Sequence, residues 1–352
     1  MREPFCTGHP SDGAYAEHRA QTIPFVSDHA YTPLMSIAVP KPLAGVPHPI
    51  PYQGSKRQLA HYIVSLFPVG TKRLVEPFAG SAAVSLAAGH MKRVGHWTIN
   101  DLHRPLMDLW TEIVRNPDEI SDKYESLWKA QLGDERAYYD RVRDRFNAHH
   151  HPEDFLYLLA RCVKAAVRYN TRGEFNNSPD NRRLGAVPDT MRRHIMGASA
   201  LLKGKSSLLS VDYREVLGSA KPGDLVYMDP PYQGVVDTQN HRYRHGVSFD
   251  DFVAALDGLR RKGIAFIVSY DGRTGTKRYG RSLPASLGLT HVEIPAGRST
   301  QATLLGRDDS TFESLYLSPE INVGEARILV RRLISLSTIS DATMKPCLTL
   351  SN

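Results

Sequence analysis

Apolar and polar positions follow two rhythms along the 352 residues, and the chain switches between them at definable points. In 55–67 (SKRQLAHYIVSLF), Leu59, Ile63, Leu66 and Phe67 recur at helical spacing behind Ser55, a residue suited to cap a helix. RLVEPF (73–78) and HWTIN (96–100) are short apolar runs that predict strands, with the small-residue helix SAAVSLAAGH between them and the helix LHRPLMDLWTEIV after them. The helical rhythm then holds, predicting helices over 117–130, 134–148, 153–168 and 189–203. Strand signals return at 207–211 (SLLSV), 224–228 (DLVYM), 264–270 (IAFIVSY), 291–295 (HVEIP) and 312–318 (FESLYLS), with the helix FDDFVAALDGLRRKG separating two of them.

Strands alternating with helices imply an α/β fold, a mostly parallel sheet with helices on both faces. The run of helices in the middle reads as an insertion. This gives a catalytic α/β domain at 49–104 and 206–320, a helical recognition insert at 105–205 and a C-terminal tail at 321–352. Residues 1–48, rich in Pro, His, Ser and Gly without periodicity, read as a poorly ordered N-terminal segment, and Met35 offers a second start.

Composition changes this picture little. An apolar fraction of 41% suffices for a sizeable core, and a net charge of +7 leans toward a polyanionic partner. Cys6, Cys162 and Cys347 are too far apart for a CxxC pair, which argues against a disulfide framework or a zinc site. His149, His150 and His151 read as a solvated helix end, and His241 and His245 as part of a polar loop, so no metal is expected. Without a signal-peptide core or a membrane-length apolar run, a soluble, cytoplasmic protein is expected.

The chemistry concentrates at Asp229-Pro230-Pro231-Tyr232, after the apolar strand DLVYM. Ligands of open α/β sheets bind beyond the carboxyl ends of the strands. An aromatic amine is a poor nucleophile because its lone pair is delocalised into the ring. The Asp229 carboxylate and the Pro230 carbonyl could accept hydrogen bonds from both N–H groups, freeing the lone pair to meet an electrophile, and Tyr232 could stack on the ring. Upstream, Glu76-Pro77-Phe78-Ala79-Gly80-Ser81 links a strand to a helix through small residues, a turn that a ligand can approach closely. Asp101 ends the next strand, where a carboxylate can bind ribose hydroxyls or cap the following helix, and Asp212 ends SLLSV in similar fashion.

The ordered set PYQGSK, VEPFAGS, TINDL, RYNTRGEFN, VDY and YMDPPY, over about residues 49–275, resembles the Dam-like, D12-class adenine-specific DNA methyltransferases. The resemblance implies a Rossmann-like fold that uses S-adenosylmethionine to methylate N6 of an adenine flipped out of double-stranded DNA, with a cognate restriction enzyme as a candidate partner. It implies that Tyr52 and Lys56 border the cofactor, Lys56 near its methionine end. Glu76, Phe78 and Gly80 would form the cofactor loop, Asp101 would bind ribose, Asp212 would border the cofactor, and Asp229 to Tyr232 would hold the adenine. There are departures: FAGSAA lacks a second glycine common in relatives, and Ser269-Tyr270 stands where many have Ser-Asn. The same carboxylate logic would serve N4 of cytosine or an RNA base, and a catalytically silent DNA-binding protein is the rival outside enzymes.

The block 161–193 interleaves arginines with aromatic and amide residues. Arginine suits phosphates and guanine edges, and asparagine can pair with adenine. Arg168, Asn170, Arg172, Asn176, Arg182 and Arg183 are the DNA-facing candidates, with Arg298 in a second polar loop.

Overall fold

Five short apolar segments lie side by side because each follows a helix that returns the chain to the same edge. The computed structural model describes residues 43–231, 247–270, 273–274, 277–278, 281–298, 310–322 and 324, all within the unit Ile37–Asn352. Strands β1 (Arg73–Glu76), β2 (His96–Asn100), β3 (Ser206–Leu209), β4 (Asp224–Met228) and β5 (Ala265–Ser269) form a parallel sheet in the order β3-β2-β1-β4-β5. β4 is buried at every position, as a central parallel strand covered on both faces must be. The sheet is then extended by antiparallel strands: β6 (Arg273–Thr274), β7 (Lys277–Arg278), β8 (Thr290–Arg298) and β9 (Ser310–Leu317), with β9 pairing β5, β6 and β8.

Strand order reverses between β1 and β4. The chain moves outward from β1 through β2 to β3, then crosses back to place β4 on the other side of β1. Arg73 and Asp224 are paired in register here and their side chains hydrogen-bond, Nε to Oδ1 at 3.1 Å. A crevice must open at such a switch point beyond the strand ends.

Helix α1 (Ala60–Ser65) is shorter than its pattern predicts: a 3₁₀ turn at Lys56–Gln58 precedes it, and Ser55 does not cap it but hydrogen-bonds the Ser81 hydroxyl at 2.7 Å. Helix α2 (Ala83–His90) is buried on most sides, packing on α1, which explains its small residues. Helices α3 (Arg104–Arg115), α4 (Pro117–Ala130), α5 (Glu135–His149), α6 (Pro152–Arg161) and α7 (Pro188–Leu202) make the helical block, four of them opened by a proline in the first turn, where its missing N–H costs nothing. The helix expected over 153–168 stops at Arg161: Lys164 and Ala165 take left-handed φ of 58° and 48°, and the chain leaves as a hairpin. Helices α8 (Tyr213–Gly218) and α9 (Phe249–Arg261) cover the other sheet face.

One continuous apolar core joins the helical block to a sheet face: Trp110, Phe146, Phe155 and Ile195 belong to the same cluster as Leu74, Tyr227 and Leu315. The second core packs Val226, Phe266 and Val268 under α8 and α9. No helix among the described residues is long and apolar enough to cross a membrane, and no described group of His, Cys, Asp and Glu could hold a metal ion.

Candidate active site

The crevice at the switch point is a cleft of about 880 Å³, within the range usual for small-molecule sites. Its floor is held by Asn100, buried at the end of β2. The Asn100 side-chain amide donates to the carbonyls of Pro77 and Val211, 3.0 Å each, and its Oδ1 accepts from the Val211 amide. One side chain thus ties together the ends of β1, β2 and β3. The next residue, Asp101, accepts from the Gly80 amide at 3.0 Å and the His103 amide at 3.0 Å, and burial raises its pKa. It braces the glycine turn, and the helix α3 begins behind His103 rather than at Asp101.

The turn after β1 is tightly packed. Gly80 has φ of 51°, and a Cβ there would lie 3.2 Å from the Tyr52 ring. Trp110 donates to the Gly80 carbonyl at 3.0 Å. Ala82 is forced to φ of 47° where a second glycine would be free of strain. Glu76 is buried and accepts from the amide and hydroxyl of Ser85. Burial raises its pKa to about 8, so at neutral pH it is largely a neutral acid.

On the far wall, Asp229 follows β4 and forms an ion pair with Lys56, 2.9 Å from Nζ to Oδ1. Lys56 also reaches Glu313 on β9, at 3.1 Å. Burial raises the Asp229 pKa to about 6, with Lys56 opposing the rise and Glu313 adding to it. The Tyr227 hydroxyl, buried beneath, is 3.0 Å from the hydroxyl of Ser269, the residue that this chain shares with the Ser-Asn pattern of relatives. At the other end of the cleft Phe78 and Tyr213 form an aromatic wall, ring centroids 5.2 Å apart, and the Tyr213 hydroxyl is buried without a hydrogen-bond partner.

All seven predicted cofactor residues, Tyr52, Lys56, Glu76, Phe78, Gly80, Asp101 and Asp212, border this one cleft together with Asp229, Pro230 and Pro231. Tyr232 lies outside the described residues, as do His241 and His245. Asp212 caps α8 through the Arg214 amide and pairs with the Arg214 guanidinium at 2.8 Å, which holds its carboxyl below the ordinary range.

The DNA candidates separate. Arg168 and Arg172 are exposed on a hairpin in which Tyr169 bridges Phe175, and Asn176 is exposed beside it. Asn170 builds the turn: its Oδ1 accepts from the amides of Arg172 and Glu174, and its Nδ2 donates to Glu174 at 2.7 Å. Gly173, at φ of 79°, completes it. Arg182 and Arg183 are exposed beside Asp180, and Arg298 closes β8. Arg161, by contrast, is buried and donates to the Asp180 carbonyl, a structural role that its charge alone did not distinguish.

The fold and the cleft define a Rossmann-like α/β methyltransferase. A profile of the D12 class N6 adenine-specific DNA methyltransferases matches residues 52–299, and the chain belongs to that family. Among curated proteins it is similar to the DNA N-6-adenine-methyltransferase of Escherichia phage P1, 26% identical over 63% of this chain and 29% of that protein, so it spans under a third of that relative. It is 28% identical to the retron Ec67 DNA adenine methylase of Escherichia coli over 76% of this chain and 90% of the relative. A type II methyltransferase of Lactococcus lactis subsp. cremoris is 26% identical over 62% of this chain and 78% of its own length.

Sequence reasoning missed Glu313. Its signal was an acid at the start of FESLYLS, on the same alternating face as Leu315 and Leu317.

Proposed function

We propose that this chain transfers a methyl group from S-adenosylmethionine to N6 of an adenine turned out of double-stranded DNA into the cleft. The observation that carries the reading is Asp229, held by Lys56 where β4 opens into the cleft, with the Pro230 carbonyl beside it. These two acceptors suit the two N–H bonds of an exocyclic amine. A preorganised carboxylate and a proline-stiffened carbonyl draw the lone pair out of conjugation without reorganising during reaction. A base inside a duplex cannot reach them, so the nucleotide must be extruded.

The residues present fit S-adenosylmethionine. Each Asp101 oxygen accepts one backbone N–H and keeps a lone pair for a hydroxyl of the ribose. The unpartnered Tyr213 hydroxyl and the Phe78 ring suit the adenine end, and the Gly80 turn lets the backbone approach closely. When bound, this group supplies an electrophilic methyl on a sulfonium. Tyr52 and Lys56 would border it, Lys56 near its methionine end. Arg168, Arg172, Asn176, Arg182, Arg183 and Arg298 would meet DNA, while Asn170 would act by shaping the hairpin. A cognate restriction enzyme as partner is supported by the type II name of the Lactococcus relative alone.

The test is transfer of labelled methyl from S-adenosylmethionine to unmethylated bacterial DNA, followed by nucleoside analysis. Label in N6-methyladenine is the expected result. Label in N4-methylcytosine would change the base, and no label with cofactor bound would overturn the DNA reading.

A further inference from the structure

Because β9 runs antiparallel to β5, it enters the sheet at the end where β1 and β4 finish. Leu317 and Leu315 are fully buried on its inner face, and Glu313 is the next position on that face toward the cleft. The Glu313 side chain is 13% exposed. A carboxylate so placed needs a charged partner to offset its lost hydration. Lys56 supplies it at 3.1 Å while also holding Asp229 at 2.9 Å. Glu313 lies beyond the residues matched by the family profile, 52–299.

We propose that Glu313 is a positioning residue for methyl transfer: it anchors the Lys56 ammonium between two carboxylates, orients Asp229 through it, and adds negative charge beside that carboxylate. The inference rests on the function proposed for the cleft. In that reaction the amine nitrogen uses its lone pair to form the N–C bond, and the donor's S–C bond breaks with its electrons left on sulfur. The nitrogen then carries a positive charge until an N–H proton passes to an Asp229 oxygen and the N–H electrons return to nitrogen. Lys56 weakens Asp229 as a proton acceptor, and Glu313 works against that effect. The negative charge of Glu313 also favours the cationic nitrogen, most strongly where water is excluded. The other titratable groups facing Asp229 include Glu76 on β1, largely uncharged at neutral pH, and Tyr227 on β4, whose ionisation burial suppresses.

The test compares wild type, E313Q and E313D as full chains, measuring kcat, both KM values, the pH profile of kcat/KM and the melting temperature. E313Q keeps an acceptor for Lys56 but removes the charge. It is expected to lower kcat roughly ten- to hundredfold with KM for S-adenosylmethionine little changed, and to move the acidic limb to lower pH, because a charge that raised the Asp229 pKa is gone. E313D keeps the charge and is expected to hold the limb in place while losing part of kcat. E313Q with wild-type kcat and an unmoved limb overturns the inference, as does an equal loss in both variants with neither limb moved, which is packing alone. If E313Q does not fold, E313A takes its place: lowered kcat with the limb moved to lower pH supports the inference, and wild-type kcat or an unmoved limb overturns it. Wild type that methylates no DNA overturns the parent function instead.

Discussion

Asp229, Lys56 and Glu76 show how single side chains set the chemistry of this cleft. Asp229→Ala removes the carboxylate proposed to accept from the amine while leaving the aromatic wall and glycine turn intact. Methyl transfer should fall by about a hundredfold or more, with the melting temperature and S-adenosylmethionine affinity largely retained; an active variant would sink the mechanism. Lys56→Met should raise the Asp229 pKa further, because its ammonium is what opposes the rise. The acidic limb of kcat/KM then moves to higher pH, opposite in sign to E313Q. Glu76 makes a separate prediction. Its folded pKa of about 8 exceeds the ordinary 4.5, chiefly through burial. The folded protein therefore binds the proton more tightly than the unfolded chain. The corresponding stability is complete below the unfolded pKa and is lost as pH rises through 8, with a slope of at most about 1.4 kcal/mol per pH unit. Urea unfolding at pH 6 and pH 8.5 should register the loss in wild type and a flatter dependence in Glu76→Gln.

At the scale of elements, Asn100 is the joint on which three strand ends depend. Asn100→Ala would strand the Pro77 and Val211 carbonyls and the Val211 amide in or near the core, at roughly 1–3 kcal/mol for each group left unsatisfied. The variant should unfold at lower urea and bind S-adenosylmethionine more weakly, since the Gly80 turn and the Val211 end of the cleft would no longer be tied. A stable variant with unaltered affinity would deny Asn100 this role. The parallel strands and the proline-rich turn after β4 were legible from the chain because their periodicity and turn chemistry are local. Asn170 was not, because an asparagine that reads a base and one that folds a hairpin look alike until the Glu174 and Arg172 amides are placed around it. Glu313 was hidden for a related reason: its partner Lys56 comes from the turn before α1, far away in the chain, and no local rhythm announces such a meeting. The early end of α6 also defeated periodicity, since the break rests on left-handed backbone at Lys164 and Ala165 rather than on glycine or proline.

Across the whole molecule, the net charge of +7 and the exposed arginines of the hairpin and of 182–183 set how the protein would meet a duplex. Each phosphate neutralised releases condensed counterions, so log affinity should fall linearly with log salt, at a slope of about −0.9 per contact. Replacing Arg182 and Arg183 with alanine should flatten that slope by up to about two units and weaken binding equally for all sequences. A change in sequence preference with an unchanged slope would instead make them base readers. The architecture also imposes an order of arrival. Lys56 and Asp229 leave the ribosome well before β9, and the parallel strands can pair while β9 is still being made. The strand that covers the open edge of β5 is also the one that delivers the acid balancing Lys56. A message cut short before codon 310 would yield a product with an uncovered sheet edge at β5 and without the acid that meets Lys56. Closing that edge and giving Lys56 its second carboxylate are therefore one event in the making of the chain.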